Sequence, residues 1–391
     1  MNSLEDYIIK KIKEEGPITF EAFMDMALYY PELGYYSSGK NPIGKKGDFY
    51  TSPHLHPIFG AMLAKQLMEM WTVTGRPSDF YAVEIGAGEG YLSRDIYDYL
   101  MNETEDMALS HDKSDFMKSL RYAIIEPFSH FENIQKDLLE PVRADLQRFG
   151  HSGVMWVKSI RELDDVRGCI FSNELLDAFP VHLVEMDKEL REIYVDFDGA
   201  NLVEKRGAPS STAISDYTNQ FSGNMDEGYR TEVNLGIRNW LKEITSVLSS
   251  GFLLTIDYGY SAREYYSEER TKGTLLCYYR HQFNDNPFSH IGEQDITAHV
   301  NFSSLKKWGQ ELGFQTVGYC PQGTFLVSSG IDEIITELYA DSSDYTSELA
   351  NIKGLIFPQG MGTSHNVMVQ YKGKGSPELQ GFSLRNQSEN L

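Results

Sequence analysis

The chain has 391 residues, and its 57 acidic and 35 basic side chains give a formal net charge of −22. This charge disfavours a nucleic-acid duplex or an anionic membrane as the partner, because lysine and arginine drive phosphate binding, and it suits a cationic substrate better. The three cysteines are widely separated and odd in number, which disfavours a disulfide framework and a cysteine metal site: Cys169, Cys277 and Cys320.

Residues 1–75 predict an N-terminal helical cap. The segments 3–14, 20–29 and 57–74 each have the apolar spacing of a helix, and Thr19 is suited to cap the second of them. The first segment lacks the apolar stretch of a signal peptide and is too acidic for a transit peptide. No apolar run is long enough to cross a membrane. We therefore expect a bacterial cytoplasmic protein without membrane insertion.

Residues 76–260 predict the core of the fold. Strand patterns alternate with helix patterns, which is typical of an α/β, doubly wound, mostly parallel sheet. The polar segment 102–118 is interpreted as an inserted loop. The strands are predicted over residues 81–85, 121–126, 154–157, 168–173 and 251–258, with helices over 128–146 and 235–248.

Two further regions do not follow this alternation. Residues 181–235 predict an inserted set of short antiparallel strands with a helix. Residues 261–371 predict a second, loop-rich insertion followed by closing strands over 316–319 and 368–371. The segment 372–391 is polar and rich in glycine, serine and proline, so we expect a disordered tail.

A glycine-rich turn follows the first core strand, in the stretch FYAVEIGAGEGYL over residues 80–92. Gly86, Gly88 and Gly90 let the backbone turn sharply and approach a ligand closely. A dinucleotide site would need its third glycine where Tyr91 stands, which disfavours a nicotinamide-dependent dehydrogenase. The spacing E-x-G-x-G-x-G, beginning at Glu84, resembles motif I of class I S-adenosylmethionine (SAM) methyltransferases. The resemblance implies that the turn passes beside the methionine part of SAM and that Glu84 helps to fix it.

Acidic residues close four of the predicted core strands: Glu84, Glu126, Glu174 and Asp257. Ligands of a doubly wound sheet bind at the carboxyl ends of its strands. A carboxylate there can accept hydrogen bonds from both hydroxyls of a ribose, so we expect Glu126 to hold the sugar of an adenosine.

Several longer motifs occur in one order and together resemble the MidA family of SAM-dependent methyltransferases. The resemblance covers nearly the whole chain except its last segment. Its motifs are GDFYTSPHLHPIFG (47–60), VEIGAGEG (83–90), NELLDAFPVH (173–182), YRTEVN (229–234), DYGY (257–260), GTLLCYYRHQ (273–282), GEQDITAHVNFSSL (292–305) and QGTFLVSSGI (322–331). One departure is His54, which stands where the family commonly has an acid.

The resemblance implies a Rossmann-like class I methyltransferase fold with a helical cap and a substrate-side insertion. It also implies SAM as the cofactor and a protein arginine side chain as the methyl acceptor. The mitochondrial members are similar to an arginine methyltransferase that assists respiratory complex I assembly, so a subunit of that type is the expected partner. A homodimer is kept open as the oligomeric state, and no metal is expected, since His281, His290 and His299 are spread too widely.

Roles for individual residues follow from the same resemblance. Residues 47–53 are implied to lie over the SAM site, with Gly47, Asp48 and Thr51 as cofactor contacts; the alternative is a turn in which Asp48 and Thr51 cap the next helix. Asn173 is also assigned to the cofactor. Carboxylates that neutralise a guanidinium would be the catalytic residues, namely Glu174, Asp177 and then Glu232. Asp257 is expected only to support the loop.

Two other interpretations stay open at this point. The chain could keep the SAM-binding fold and act as an assembly factor or chaperone for a partner protein. It could also methylate a small molecule instead of a protein. Label transferred from SAM to a cell lysate or to a metabolite extract separates these interpretations.

Overall fold

The computed structural model describes residues 3–39, 51–102, 106–148, 153–280, 282–340 and 342–391. Across these ranges, no helix combines the length and the apolar character needed to cross a membrane.

The strands of the described ranges run in chain order as β1 (Ile18–Thr19), β2 (Phe80–Ile85), β3 (Leu120–Ile125), β4 (Val154–Val157), β5 (Val166–Asn173), β6 (His182–Asp187), β7 (Glu189–Phe197), β8 (Leu202–Gly207), β9 (Arg230–Val233), β10 (Leu248–Tyr260), β11 (Leu276–Tyr279), β12 (Gln282–Asn284), β13 (Asp295–Thr297), β14 (Val300–Asn301), β15 (Gln315–Pro321) and β16 (His365–Lys372).

The α-helices of the same ranges are α1 (Ser3–Glu15), α2 (Phe20–Tyr29), α3 (Ser52–Leu55), α4 (Ile58–Val73), α5 (Tyr91–Met101), α6 (Met107–Ser119), α7 (Ser129–Arg148), α8 (Thr212–Phe221), α9 (Gly236–Val247), α10 (Ala262–Tyr265), α11 (Phe302–Glu311), α12 (Gln322–Ser328), α13 (Ile331–Tyr339) and α14 (Tyr345–Ile356).

The central sheet has the strand order β15-β16-β10-β5-β2-β3-β4. Strands β10, β5, β2, β3 and β4 pair in parallel, whereas β16 and β15 are antiparallel additions at one edge. Because β3 and β4 lie on one side of β2 while β5 and β10 lie on the other, the chain changes direction between β2 and β5. This point is where doubly wound sheets bind ligands. The predicted doubly wound, mostly parallel sheet is confirmed.

Helices cover both faces of this sheet because its strands are apolar on both sides. Ala82 packs into a cluster with helices α4 and α5, while its neighbour Val83 packs into a second cluster with α9 and α11. Leu254 and Leu253 of β10 divide in the same way. Successive strand residues point to opposite faces, so an unbroken apolar run fills two cores.

The first two helices of the N-terminal cap pack on the inserted sheet, whereas α4 of the cap packs on the central sheet. The inserted sheet has the order β1-β7-β6-β9, with β8 beside β7, and its pairs are antiparallel. Ile8 of α1 and Phe23 of α2 share a buried cluster with Leu183 and Val195 of this sheet. Thr19 caps α2 as predicted, because its hydroxyl accepts a hydrogen bond from the Ala22 amide at 3.1 Å.

The segment 102–118 differs from the predicted loop, since most of it forms helix α6. Asp106 caps this helix by accepting hydrogen bonds from the amides of Ala108 and Leu109 at 2.9 and 3.1 Å. Phe116 is fully buried at the other end of the helix. A capping aspartate and buried side chains that include Phe116 and Met117 therefore order a stretch whose composition suggests a loop.

Residues 372–391 also differ from the prediction, because they are not a disordered tail. Phe382 is buried against Gly318, where an added Cβ would lie 2.1 Å from the ring. The Gln387 amide donates to the Tyr319 carbonyl at 2.7 Å, and the Lys306 ammonium donates to the Ser388 carbonyl at 2.6 Å. These long-range contacts order the segment, and composition does not reveal them.

Candidate functional site

A cavity of about 490 Å³ opens at the carboxyl ends of β2, β3 and β5. Its volume is in the range typical of small-molecule sites. The glycine turn and residues of the helical cap both line it. The cap contributes Tyr29, Tyr36, Thr51, Pro53 and His54.

The glycine turn has the backbone geometry that its sequence predicts. Gly86, Gly88 and Gly90 have φ angles of 75°, 54° and 91°, in the left-handed region that favours glycine. A Cβ at Gly86 would also lie 2.9 Å from the Leu175 side chain. Gly90 directly precedes α5, so the turn delivers the chain into the helix beside the cavity.

Glu84 lies under the turn, at the cavity wall. One oxygen of its carboxylate, Oε2, accepts hydrogen bonds from the Ser93 and Tyr122 hydroxyls, each at 2.6 Å. Burial raises the pKa of Glu84 above its ordinary value. The two hydroxyls fix the side chain, and its contact with the methionine part of SAM stays a prediction.

Glu126 follows β3 and lines the cavity, as its position at a strand end predicts. Its carboxylate accepts hydrogen bonds from the Phe128 amide and from the Gln135 side chain, each at 2.9 Å. Burial raises the pKa of Glu126 to about 7. The side chain is therefore held in place and able to change its charge near neutral pH.

Gln135 of α7 joins this acid to the glycine turn, and sequence analysis missed it. Its Nε2 also donates to the Gly88 carbonyl at 2.8 Å, and its Oε1 accepts from the Trp156 indole at 3.0 Å. The amide thus connects the ends of β3 and β4 to the turn. No local motif marks this residue, because its partners come from distant segments.

Asn173 and Glu174 stand at the end of β5, on the cavity wall. Glu174 has a φ of 50°, an uncommon angle for a residue with a side chain. Its Oε1 accepts hydrogen bonds from the Ser52 amide at 3.3 Å and from Asn173 Nδ2 at 3.1 Å. The Asn173 Oδ1 atom is buried with no hydrogen-bond partner in the described residues. Strained backbone and an unpaired polar atom at one strand end are typical of a functional site.

Asp257, near the C-terminal end of β10, supports the loop that follows Asn173 and Glu174. Its Oδ2 accepts hydrogen bonds from the amides of Leu175 and Leu176 at 3.1 and 2.8 Å. Burial is the main cause that raises the pKa of Asp257 to about 7.

Asp177 lies in a cluster of carboxylates behind the cavity wall. Its pKa is raised well above its ordinary value by burial and by the neighbouring charges of Asp257, Asp295 and Glu174. Asp295, from β13, accepts the Tyr36 hydroxyl on both of its oxygens at 3.0 Å. The sequence analysis missed Asp295 and Tyr36, which lie 259 positions apart. Burial and mutual repulsion disfavour the ionised form of these carboxyls, and a cationic ligand beside them would favour ionisation.

Glu232 is placed elsewhere, outside the lining of the cavity. Its Oε1 accepts the amides of Thr274 and Leu275 at 2.8 and 3.0 Å, and its Oε2 accepts the Tyr265 hydroxyl at 2.9 Å. These bonds attach the second insertion to β9. We therefore assign Glu232 a structural role instead of the catalytic role expected from the sequence.

The GDFYTSP motif is only partly described. Gly47 and Asp48 lie outside the described residues, so the roles predicted for them are not tested. Thr51 lines the cavity and precedes α3, but its side chain makes no capping hydrogen bond to that helix. Its hydroxyl instead lies 2.6 Å from His54 Nδ1. His54 Nε2 lies 3.8 Å from Glu89 Oε2, and burial lowers the pKa of this histidine.

No group of three or more histidine, cysteine or carboxylate side chains that could hold a metal ion occurs within the ranges described above. His281 is outside them.

Comparison with known proteins agrees with this geometry. The model of the Methyltransf_28 family, described as an S-adenosyl-L-methionine-dependent methyltransferase, matches residues 62–320. The chain is 28% identical over 379 residues to the mitochondrial protein arginine methyltransferase NDUFAF7 of Homo sapiens, covering 92% of this chain and 81% of that protein. It is 25% identical over 396 residues to the Drosophila melanogaster homolog, covering 98% of this chain and 88% of that protein.

A solved structure has the same overall fold. The crystal structure of a Burkholderia thailandensis protein bound to S-adenosyl-homocysteine aligns with a TM-score of 0.87 at 28% identity, covering 100% of this chain and 96% of that one. The resemblance to SAM-dependent methyltransferases, the Rossmann-like methyltransferase fold and SAM as the cofactor are thereby confirmed. The chain belongs to the Methyltransf_28 family of S-adenosyl-L-methionine-dependent methyltransferases.

Proposed function

We propose that this protein transfers the methyl group of SAM to a guanidinium nitrogen of an arginine side chain in a protein substrate. The observation that carries the proposal is a cluster of carboxyl groups, with Glu174 on the cavity wall and Asp177 and Asp295 buried behind it. The names of the relatives as protein arginine methyltransferases point to the same acceptor.

The residues of the cavity fit SAM. Gly86 and Gly88 line the cavity without side chains, so a ligand can approach the backbone of the turn closely. Glu126 presents a carboxylate that suits the two ribose hydroxyls. The unpaired Asn173 Oδ1 is free to accept a hydrogen bond from a ligand. Bound SAM supplies an electrophilic methyl group on a sulfonium, and the chain's own residues must position the nucleophile.

The acceptor side has the features that a guanidinium needs. Glu174 lies on the cavity wall and can accept its N–H groups, and Asp177 behind the wall adds a second carboxyl of the kind that a guanidinium favours. Tyr29 and Tyr36 line the cavity with their rings stacked at a centroid distance of 5.5 Å, and aromatic faces attract planar cations. These tyrosines, carried by the cap, would limit the access of water to an acceptor bound beside them.

The test is transfer of radiolabelled methyl groups from SAM to arginine-containing peptides and to lysate proteins, followed by acid hydrolysis and separation of the amino acids. Label in methylarginine supports the proposal. Label only in a dialysed metabolite extract supports a small-molecule acceptor, and SAM binding without any transfer supports an assembly role. Glu174→Ala should keep SAM binding and lose turnover, whereas a variant that loses both would shift Glu174 to a cofactor role.

The partner and the location are finer parts of the same proposal. A respiratory complex I type subunit as substrate, a homodimer and a bacterial cytoplasmic location all stay predictions; the named relatives are mitochondrial proteins. Mass spectrometry of lysate from a deletion strain would identify the substrate as a peptide that loses a methyl mark.

A further inference from the structure

A buried histidine stands directly behind Glu174. His365 begins β16 and is fully buried, and its Nε2 lies 3.4 Å from Glu174 Oε1. Its Nδ1 lies 3.1 Å from the Ser364 hydroxyl oxygen. Within the part of the chain described, Nε2 makes no well-aligned hydrogen bond, although Glu174 Oε1 is near it. An imidazole nitrogen that is buried, lacks such a bond and faces a cavity carboxylate calls for an explanation.

We propose that His365 acts through Glu174 and receives the proton that the acceptor nitrogen releases during methyl transfer. His365 does not line the cavity, so it is a positioning residue and not a group that touches substrate. No motif of the sequence analysis contained it. The inference rests on the proposed arginine acceptor.

The proton balance of the reaction requires such a group. A guanidinium nitrogen has no free electron pair until one of its N–H protons leaves. As the N–CH₃ bond forms, the S–CH₃ bond breaks and its electron pair stays on sulfur. The methylated guanidine keeps its single positive charge, so one proton must be removed. Glu174 Oε1 accepts this proton and passes it to His365 Nε2, which becomes an imidazolium beside the restored carboxylate.

The contact of His365 Nδ1 with Ser364 is consistent with proton transfer from Glu174 to Nε2. If Nδ1–H donates to the Ser364 hydroxyl, Nε2 carries the free electron pair that faces Glu174. This tautomer is assigned from the hydrogen-bond partners.

The other titratable groups around His365 favour a transient positive charge on it. Asp257 lies on the neighbouring strand, where its own partner in register is Asn366. The Tyr258 ring packs on the imidazole at a centroid distance of 3.9 Å, and the His299 ring stacks with Tyr258 at 6.0 Å. Burial lowers the pKa of His299 to about 4, so His299 stays neutral and adds no repulsion. The acidic groups Glu174 and Asp257 therefore favour a positive charge on the His365 ring.

His365→Gln tests the proposal in the full-length protein, because glutamine keeps a polar atom near the Nε2 position but does not titrate there. His56→Gln is the matched control, since His56 is also buried and its Nε2 lies 2.8 Å from Glu348, outside the cavity lining. Ser364→Ala is a second variant that leaves the buried ring intact. Each variant is first checked for SAM binding by calorimetry and for its melting temperature.

We expect His365→Gln to lower kcat by about 10- to 100-fold with little change in the KM of an arginine peptide. In the unsubstituted protein kcat should fall on the acid side of its pH profile, and this limb should be absent in the variant. Ser364→Ala should lower kcat in the same direction, by a smaller factor. His56→Gln should keep the limb.

A readout independent of turnover is the ¹⁵N NMR titration of the histidine side chains with S-adenosyl-homocysteine present. The His365 signal, identified by its loss in His365→Gln, should titrate at lower pH in Glu174→Gln, because the carboxylate that stabilises the imidazolium is gone. If the His365 signal titrates at the same pH with and without Glu174→Gln, this inference is overturned. It is also overturned if the pH profile of kcat keeps its shape in His365→Gln. Neither result would overturn the proposed function. Absence of methylarginine with the unsubstituted protein overturns the proposed function and this inference with it.

Discussion

Gln135 donates a hydrogen bond to the carboxylate of Glu126 at 2.9 Å while the same nitrogen donates to the carbonyl of Gly88 at 2.8 Å. One side-chain amide thus connects the two parts of the site that are expected to bind SAM. These parts are the Glu126 carboxylate, expected to bind the ribose, and the glycine turn. Its own position is fixed by Trp156 and by the packing of α7 on the central sheet.

Gln135→Ala should therefore weaken SAM binding without affecting the acceptor side. Loss of a hydrogen bond to a charged group costs about 1.5–3 kcal/mol, and the expected loss of affinity is roughly 10- to 100-fold. Calorimetric titration with SAM measures it. Gln66→Ala is the matched control, because Gln66 is also buried and donates to Glu69 at 2.9 Å, away from the cavity. If both variants lose the same amount of SAM affinity, Gln135 has no specific role in SAM binding.

SAM affinity should rise with pH through the range in which Glu126 ionises. Burial raises the pKa of this carboxyl to about 7, and only the ionised form accepts hydrogen bonds from both ribose hydroxyls. Binding should therefore be roughly tenfold tighter at about pH 8 than at about pH 6, at constant ionic strength. Glu126→Gln should bind more weakly and flatten this dependence. If Glu126→Gln keeps the full pH dependence, a group other than Glu126 causes the change in SAM affinity.

Gly86→Val should abolish SAM binding. The valine would have to adopt a φ of 75° and would place its side chain against Leu175 inside the cavity. Gly75→Val is the control for backbone strain, since Gly75 has a φ of 90° and open space around its Cβ position. Both variants should lose stability, measured by thermal melting, but only Gly86→Val should lose the calorimetric signal. Normal binding by Gly86→Val would refute the assignment of the turn.

Asp177→Asn should weaken binding of the arginine peptide and leave SAM affinity unchanged. The pKa of Asp177 is raised well above its ordinary value by burial and neighbouring carboxylates, so its ionised form is disfavoured in the free protein. A guanidinium favours the ionised form, and KM for the peptide should accordingly fall as the pH rises. The asparagine variant should raise KM on the order of 10-fold and flatten this dependence.

Asp196→Asn is the control for this substitution, because Asp196 is paired with Lys205 at 2.9 Å on the inserted sheet, outside the cavity lining. Its KM should match that of the unsubstituted protein. An unchanged KM in Asp177→Asn would separate the carboxylate cluster from acceptor binding.

Sequence reasoning located those parts of the site that lie next to their own secondary structure. Glu84, Glu126 and Glu174 each follow or close an apolar run, and the glycines between a strand and a helix mark the turn. The alternation of strands and helices was sufficient to predict the doubly wound sheet. These features are local, so the sequence carries them directly.

The parts that sequence reasoning missed depend on contacts between distant segments. Tyr36 meets Asp295 because the cap and the second insertion converge on the same side of the sheet. His365 reaches Glu174 because β16 pairs antiparallel with β10. Glu232 was misplaced for the same reason, since only the fold shows that the loop after Gly273 covers it. The ordered C-terminal segment depends on Gly318 and Lys306, far from it in the chain.

The central claim is that the Gly86–Gly90 turn and Glu126 together hold SAM in the cavity at the ends of the parallel strands. A crystal structure with bound S-adenosyl-homocysteine tests it most directly. The account predicts that the ligand passes over the turn and that both ribose hydroxyls lie within hydrogen-bonding distance of the Glu126 carboxylate. A ligand bound elsewhere, or a ribose held by other residues while Glu126 keeps only Gln135 and Phe128 as partners, would contradict it.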